Sequence, residues 1–255
     1  MKTLYLDVSA GCAGDMLLGA LYQLCPDPEG FLAAMNALPL DGVSVRPEPV
    51  SDHGLAGVHM AVAFHGAEEG PDGPHGHHSH GHHRHVHRSL ADVVALIRGL
   101  PLPEAVLDDA CAVYGLVAGA EARAHNTTPG EVHFHEVGTN DAIADIVGVS
   151  LLLHAIGPDA VVATDVAVGG GTVHCAHGEL PVPAPATAAL LEGLPTVHGP
   201  ADRELCTPTG AALLRRFVTR WAPFPAAGGT VGRGMGTRRF DTHCNTVAAR
   251  LVETA

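Results

Sequence analysis

The sequence predicts an α+β fold in which a mixed β-sheet packs with helices and carries a disordered His-rich insert. Segments with strand and helix patterns follow one another without strict alternation, which favours this class over a regular α/β repeat. Apolar residues make up 46% of the 255 residues and aromatic residues 4%, so the expected core consists mainly of Ala, Val and Leu. A chain of this length can bury about 70–75% of its unfolded surface, so it needs no disulfide or metal to fold.

The first half of the chain combines short apolar runs with helical patterns. The predicted elements are, in order, a strand at 4–8, a tight turn at 9–15, helices at 16–24 and 31–38, and strands at 43–50 and 55–64. Residues 66–88 then lose all periodicity and are rich in Gly, Pro and His, which predicts a flexible loop. Ser89 is the expected N-cap of a helix that runs to residue 100.

The second half repeats this mixture. The predicted elements are a helix at 103–125, a strand at 131–137, a helix at 141–156, a strand at 160–168, helices at 186–194 and 211–221, a Gly/Arg loop or hairpin at 230–239, and a strand at 245–252. We treat residues 1–255 as one domain with the loop 66–88 inside it.

Charge and composition exclude several classes of protein. The formal net charge of −13 argues against nucleic acid as a partner, although arginines can still bind small anions locally. The six cysteines form no CxxC motif, which argues against a zinc ribbon and a disulfide scaffold and suits a reducing cytosol. The run before Asp7 is too short for a signal peptide, and the longest apolar stretch, 146–156, is too short for a membrane span. We therefore expect a cytoplasmic protein with no membrane association.

Histidine is the most distinctive residue type, with 19 in the chain. Eight of them fall within 13 consecutive positions, at His75, His77, His78, His80, His82, His83, His85 and His87. Neutral imidazole binds Ni, Cu, Zn and Fe, so this segment predicts transition-metal binding without naming the metal. Because flexible ligands do not fix geometry, storage or delivery of metal fits better than a catalytic ion. The alternative is a solvated linker.

A second group of polar residues lies at a predicted strand-to-helix junction. His133 and His135 are two apart on the strand and so share a face. Asp141 and Asp145 are four apart on the following helix and also share a face. Two imidazoles and two carboxylates can bind a divalent metal or perform acid–base chemistry. The alternative is a hydrogen-bonded strand end followed by a capped helix.

A third group follows the glycines at 169–171. His174, Cys175 and His177 offer two nitrogens and one sulfur within four residues. A cysteine in such surroundings can become a thiolate and bind metal. The alternative is a flexible glycine turn with satisfied side chains.

Three segments are candidates for binding a small anion. Residues 9–14 lead from a strand through glycines into a helix N-terminus, although Asp7 and Asp15 would repel a phosphate unless a metal or proton intervened. The start of the predicted helix at 207–210 presents two threonine hydroxyls, and the loop 232–239 presents three arginines. The alternatives are a plain turn for residues 9–14, a capping motif for 207–210 and a surface hairpin for 232–239.

Several longer motifs carry a family resemblance. They are LDVSAGCAGDMLLGAL (6–21), EARAHN (121–126), VHFHEVGTNDAIADIVG (132–148), HCAHGELPVPAPATAALLEG (174–193), CTPTGAALL (206–214) and GRGMGTR (232–238), together with the His-rich insert before a helix. In this order and over nearly the whole chain, they resemble the LarC family of nickel-insertion proteins, the pyridinium-3,5-bisthiocarboxylate mononucleotide nickel chelatases of lactate racemase cofactor maturation.

The resemblance implies an enzyme of the lyase class that places Ni²⁺ in a pyridinium dithiocarboxylate mononucleotide by cyclometallation, using CTP with Mg²⁺ or Mn²⁺. A lactate racemase-type apoprotein is the expected downstream partner. Members of the family usually carry a C-terminal CTP-binding domain, whereas this chain ends one strand after GRGMGTR. We therefore expect the N-terminal domain alone, with the CTP-binding domain either in another chain or in a part of the protein that this sequence omits. Homo-oligomerisation is left open.

The residue hypotheses for this function follow the groups above. For metal positioning we select His133, His135, Asp141 and Asp145, with His174, Cys175 and His177 as a second ligand group. For the base that removes the pyridinium ring proton we select Glu136 or Asp15. For the phosphate of the acceptor we select three segments, represented by Ser9, Gly11 and Gly14, by Thr207 and Thr209, and by Arg233 and Arg238. The competing functions are a non-catalytic nickel store that delivers metal through the His-rich loop, and an unrelated metal-dependent hydrolase.

Overall fold

A computed structural model describes residues 1–64, 67–68, 88–134, 137–175 and 178–254. These residues contain seven α-helices: α1 (Gly14–Tyr22), α2 (Pro28–Asn36), α3 (Leu90–Arg98), α4 (Glu104–His125), α5 (Asn140–Ile156), α6 (Pro185–Leu191) and α7 (Pro208–Phe217). A short 3-10 helix spans Pro129–Glu131.

Fourteen strands accompany these helices in the described part of the chain. They are β1 (Lys2–Asp7), β2 (Val43–Asp52), β3 (Leu55–Phe64), β4 (Ala67–Glu68), β5 (Arg88–Ser89), β6 (His133–Phe134), β7 (Ala160–Ala163), β8 (Val166–Ala167), β9 (Thr172–Cys175), β10 (Gly178–Pro181), β11 (Thr196–Val197), β12 (Arg220–Trp221), β13 (Val231–Met235) and β14 (Thr246–Glu253).

The main sheet is mixed and has the order β12-β7-β1-β14-β13-β3-β2, with β4 beside β3. Strand β1 pairs parallel to β7 and antiparallel to β14, while β13 pairs antiparallel to β14 and parallel to β3. Three two-stranded sheets, β9–β10, β8–β11 and β5–β6, lie outside it. The predicted α+β class with a mixed sheet is confirmed.

Two central helices form the core against one face of this sheet. Helix α1 packs on β13 and β3 and also on α5, and α4 packs on the far side of α5. Helix α5 is buried nearly all round, with Ile143, Ile146 and Leu152 fully inaccessible. Ser150 is buried in it, but its Oγ donates a hydrogen bond of 2.8 Å to the carbonyl of Ile146, which satisfies the hydroxyl. None of the helices described is long and apolar enough to cross a membrane.

Of the loop or hairpin predicted at 230–239, the loop alternative is wrong for residues 231–235, because these form strand β13, which pairs antiparallel with β14 in the middle of the main sheet. A Cβ on Gly234 would lie 1.7 Å from the carbonyl oxygen of Met16, and a Cβ on Gly19 would lie 2.5 Å from that of Val58. These glycines are therefore required where helix and strand backbones touch. Glycine in a strand can mark such close approach of backbones, which local sequence does not reveal.

Smaller differences concern the ends of elements. The predicted strand at 131–137 is a 3-10 turn followed by the two residues of β6, and the predicted strand at 160–168 divides into β7 and β8, which join different sheets. Helix α7 starts earlier and ends earlier than predicted, and β12 follows it. The prediction of a flexible loop at 66–88 falls mostly on residues outside the described part.

The packing of α1 on β13 gives a stability prediction. Replacing Gly234 by Ala places a methyl group on the backbone of Met16, so we expect the free energy of unfolding to fall by at least about 2 kcal/mol in urea denaturation. Gly115→Ala is the matched control, since Gly115 is exposed in α4 and a Cβ there would meet no atom within 4 Å. That variant should gain about 0.5–1 kcal/mol from helix propensity. Equal stability of the two variants would contradict the proposed packing constraint.

Candidate functional site

The N-termini of α1 and α5 meet at a pair of residues that the sequence places far apart. A Cβ on Gly14, the first residue of α1, would lie 2.5 Å from Oδ2 of Asp145. Only a residue without a side chain leaves room for this carboxylate. Asp15 and Asp141 occupy the first turns of α1 and α5, where the partial positive charge of a helix N-terminus favours a carboxylate. Three candidate residues, Asp15, Asp141 and Asp145, are thus carried by two touching helices.

A buried histidine from the sheet borders this group. His59 lies on β3 and is 6% exposed. Its Nδ1 lies 2.9 Å from the carbonyl oxygen of Met235, which can only accept, so Nδ1 carries the hydrogen. The same nitrogen lies 3.9 Å from Oδ2 of Asp15. Sequence reasoning missed His59, and the available signal was a histidine within the apolar run of residues 55–64.

The turn between β6 and α5 is held from two sides. The hydroxyl of Tyr114, a fully buried residue of α4, donates a 2.9 Å hydrogen bond to the carbonyl of Val137. Burial, followed by the charges of Asp141 and Asp145, raises the pKa of this phenol well above its usual value. Arg88 donates from Nη1 to the carbonyl of Gly138 at 2.7 Å. Tyr114 therefore stays a neutral donor, and both side chains fix the start of α5.

His133 lies at the surface beside the start of α3. It is exposed on β6 and opposes Ser89 of β5. Hydrogen bonds from Ser89, and to a smaller extent the charge of His133, lower the pKa of Asp92. His135 and Glu136, the other candidates on this segment, lie outside the described residues. The shared face of His133 and His135 thus stays a prediction.

The second predicted ligand group is described only in part. His174 is exposed on β9 and opposes Glu179 of β10. The side chain of Cys175 and the whole of His177 lie outside the described residues. A Cβ on Gly169 would lie 1.6 Å from the carbonyl oxygen of Arg203. This glycine therefore allows two segments of the chain to touch.

Two of the three candidate anion segments are neighbours. The amide of Cys12 donates to the carbonyl of Leu205 at 2.8 Å, and the amide of Thr207 donates to the carbonyl of Cys12 at 3.0 Å. A Cβ on Gly210 would lie 2.3 Å from the carbonyl oxygen of Cys12. The segment with Ser9, Gly11 and Gly14 therefore lies along the segment with Thr207 and Thr209.

Local hydrogen bonds already use some of these hydroxyls. Ser9 donates from Oγ to Asp7 at 2.6 Å, and Thr207 accepts from the amide of Gly210 at 3.2 Å as the N-cap of α7. Thr209 is 9% exposed. The amides of the α1 and α7 N-termini are therefore better candidates than the hydroxyls for contact with an anion.

The third anion segment divides between strand β13 and the loop residues that follow it. Arg233 belongs to strand β13, and its carbonyl accepts from the side-chain amide nitrogen of Gln23 at 2.7 Å. Arg238 follows the strand and donates from Nη1 to the carbonyl of Glu204 at 3.0 Å. Arg238 therefore reaches the segment that leads to Thr207, whereas Arg233 is held within the sheet.

A preassembled metal centre is not present in the described part of the chain. Within residues 1–64, 88–134, 137–174 and 178–254, no three His, Cys, Asp or Glu side chains lie close enough together to hold a metal ion. Carboxylates and an exposed imidazole are nevertheless donors that suit divalent transition metals. Further donors, from His135, Glu136, His177 and the segment 75–87, belong to residues that are not described.

Three of the known proteins that are similar to this chain are all named as nickel insertion proteins. The chain is 41% identical over 97% of its length to the pyridinium-3,5-bisthiocarboxylic acid mononucleotide nickel insertion protein of Nocardioides sp. strain JS614, of which it covers 59%. It is 43% identical over 94% of its length to a putative nickel insertion protein of Geobacter metallireducens, covering 58%. A protein of Akkermansia muciniphila has the same name as the Nocardioides protein. It is 39% identical to this chain over 100% of the chain's length, and the chain covers 61% of it.

The chain spans about three-fifths of the length of these curated relatives. No solved structure matches it. The family model described as nickel insertion protein matches residues 4–255, which are nearly all of the chain, and the chain therefore belongs to the nickel insertion protein family.

Proposed function

We propose that this chain binds Ni²⁺ and places it in a pyridinium-3,5-bisthiocarboxylic acid mononucleotide, the precursor of the nickel-pincer cofactor of lactate racemase. The names of relatives that cover 97% and 100% of this chain support the substrate. The structural observation that carries the proposal is the contact of Asp145 with Gly14, because it brings the carboxylate-bearing N-termini of α1 and α5 to one place.

The donor types fit a metal that must be handed over. We propose Asp141 and Asp145 as oxygen ligands and His133 and His135 as nitrogen ligands. No three of the described side chains are close enough to hold an ion, so Ni²⁺ would have to draw this set together on binding. His174, Cys175 and His177 are proposed as a second ligand group. Sulfur donors are softer than carboxylate oxygens and suit late transition metals better, so the two thiocarboxylates of the substrate favour transfer away from the protein.

The histidine-rich segment has a direct connection to this region. Residue 87 is followed in sequence by Arg88, the first residue of β5, and Ser89 of that strand opposes His133. Because the segment ends in sequence next to a strand that pairs with β6, we propose that nickel released from it passes to His133. We propose that the segment collects nickel and that the carboxylate site positions it.

Formation of the nickel–carbon bond requires loss of a proton from the pyridinium ring. The C–H bond breaks, its electron pair forms the bond to Ni²⁺, and the proton passes to a carboxylate, so neither an oxidant nor a reductant is needed. Asp15 is the proposed base within the described residues, and Glu136 remains the alternative. Nδ1 of His59 lies 3.9 Å from Oδ2 of Asp15, which is beyond hydrogen-bond distance, so His59 borders the proposed base without fixing it.

The phosphate of the substrate is proposed to bind where the Gly11–Gly14 turn and the Thr207–Gly210 cap lie together. The N-termini of α1 and α7 start from these segments and present amides that attract an anion. Arg238, which contacts the carbonyl of Glu204, supplies the nearest candidate cation among the anion-binding residues selected from sequence.

The wider reaction is assigned from the family. We propose a lyase-class cyclometallation in the cytoplasm that uses CTP with Mg²⁺ or Mn²⁺ bound to a further domain or chain, and that passes its product to a lactate racemase-type apoprotein. Nickel storage without catalysis is the alternative, and the eight histidines between positions 75 and 87 favour it.

The carboxylates give the first functional prediction. In a variant that lacks residues 75–87, Asp141→Asn and Asp145→Asn together should weaken Ni²⁺ binding at least about tenfold in calorimetric titration, because an amide is a poorer ligand than a carboxylate. Asp108→Asn is the matched control, since Asp108 is exposed on α4 and forms a surface ion pair with Arg98. Unchanged affinity in the double variant would refute the assignment of these ligands.

The histidine-rich segment gives the second functional prediction. Deleting residues 75–87 should reduce maturation of lactate racemase at limiting nickel, since the collecting ligands are lost, but not at abundant nickel, where the carboxylate site fills directly. Racemase activity in cells that supply the other maturation proteins measures both conditions. Loss of maturation even at abundant nickel would instead support storage and delivery as the main function.

A further inference from the structure

Two cysteines are paired through the backbone where the candidate anion segments touch. The amide of Cys12 donates to the carbonyl of Leu205, and the amide of Thr207 donates to the carbonyl of Cys12. This is the hydrogen-bond pattern of a parallel bridge that pairs Cys12 with Cys206. Paired residues on neighbouring strands have Cα atoms about 4.8 Å apart, which lies within the range of about 4.4–6.8 Å found for disulfides.

Both thiols are reduced and fully buried. Burial, followed by the proximity of Cys206 and Asp15, raises the pKa of Cys12 well above its usual value. Burial also raises the pKa of Cys206. Both groups are therefore neutral thiols in the resting fold, and reaction with an external reagent requires local opening. The bridge stands outside the named strands, so opening it disrupts no ladder of the main sheet.

The other described thiols have different surroundings. Cys25 is half-buried in the loop between α1 and α2, and Cys111 is half-buried on α4. The sulfur of Cys244 lies 3.6 Å from the sulfur of Met235. Among the cysteines whose side chains are described, Cys12 and Cys206 are the pair that a backbone bridge holds in register.

We propose that Cys12 and Cys206 are a redox-modification site that closes to an intramolecular disulfide with a small disulfide oxidant such as oxidised glutathione. One thiol loses its proton and attacks the oxidant, which releases one glutathione thiolate. The second thiol then attacks the mixed disulfide and releases another. Two S–H bonds break, one protein S–S bond forms, and the two electrons and two protons convert oxidised glutathione to two molecules of glutathione.

The disulfide would join the two segments proposed to hold the substrate phosphate. It links positions 12 and 206 across most of the chain and so removes freedom from the unfolded ensemble. It also fixes the Gly11–Gly14 turn against the Thr207–Gly210 cap. The inference depends on the backbone bridge and not on the proposed function, so its test is independent of nickel insertion.

The experiment uses the full chain with Cys25, Cys111 and Cys175 replaced by Ser, which leaves three of the six cysteines. After incubation with oxidised glutathione and removal of the reagent, thiol titration in denaturant should fall from three thiols to one. Peptide mapping should recover a linked pair that contains Cys12 and Cys206. The melting temperature should rise, and dithiothreitol should reverse every change.

The matched control adds Cys206→Ala to the same background and should form no linked peptide. Three thiols persisting in the oxidised protein, or a linkage through Cys244, would overturn the inference. Should the substituted proteins fail to fold, peptide mapping of the oxidised unsubstituted chain decides the question. Recovery of the Cys12–Cys206 peptide then supports the inference, and its absence overturns it.

Discussion

Direct contact of the α1 backbone with its neighbours determines how the sheet, α5 and the candidate site are arranged. Gly234 meets the carbonyl of Met16, Gly19 meets the carbonyl of Val58, and Gly14 meets the carboxylate of Asp145. Each contact is closer than a side chain permits, so α1 lies deep between the sheet and α5. This position brings the loop before α1 to Leu205 and its first turn to His59, and it thereby assembles the candidate site.

Electrostatics explains how an acidic chain can gather these carboxylates. With a net charge of −13, Asp15, Asp141 and Asp145 would repel one another in open solvent. Here Asp15 and Asp141 lie in the first turns of two helices, and Arg88 is fixed to the adjacent turn at Gly138. The helix N-termini and Arg88 offset only part of the negative charge of the three carboxylates. The rest favours binding of a divalent cation, which agrees with the nickel proposed as the transferred substrate. The same location places the buried Cys12 next to Asp15.

The outcome for individual elements shows where sequence reasoning was limited. The sequence left a loop or a hairpin open at residues 230–239 because the glycines suggest flexibility, whereas the glycines of strand β13 are required by the helix that packs on them. His59 was missed because it lies in an apolar strand pattern, and its relation to Asp15 spans 44 positions in the sequence. The metal-ligand hypotheses stay predictions, since His135, His177 and residues 75–87 lie outside the described part.

The α+β class, the position of most helices and the family could be predicted from the amino-acid sequence, because apolar periodicity, capping residues and motif order are local properties of the chain. The contact of Gly14 with Asp145, the pairing of Cys12 with Cys206 and the neighbouring position of two anion segments could be seen only in the folded chain. Such contacts join residues more than a hundred positions apart. They arise from the close packing of α1, which no local pattern of residues encodes.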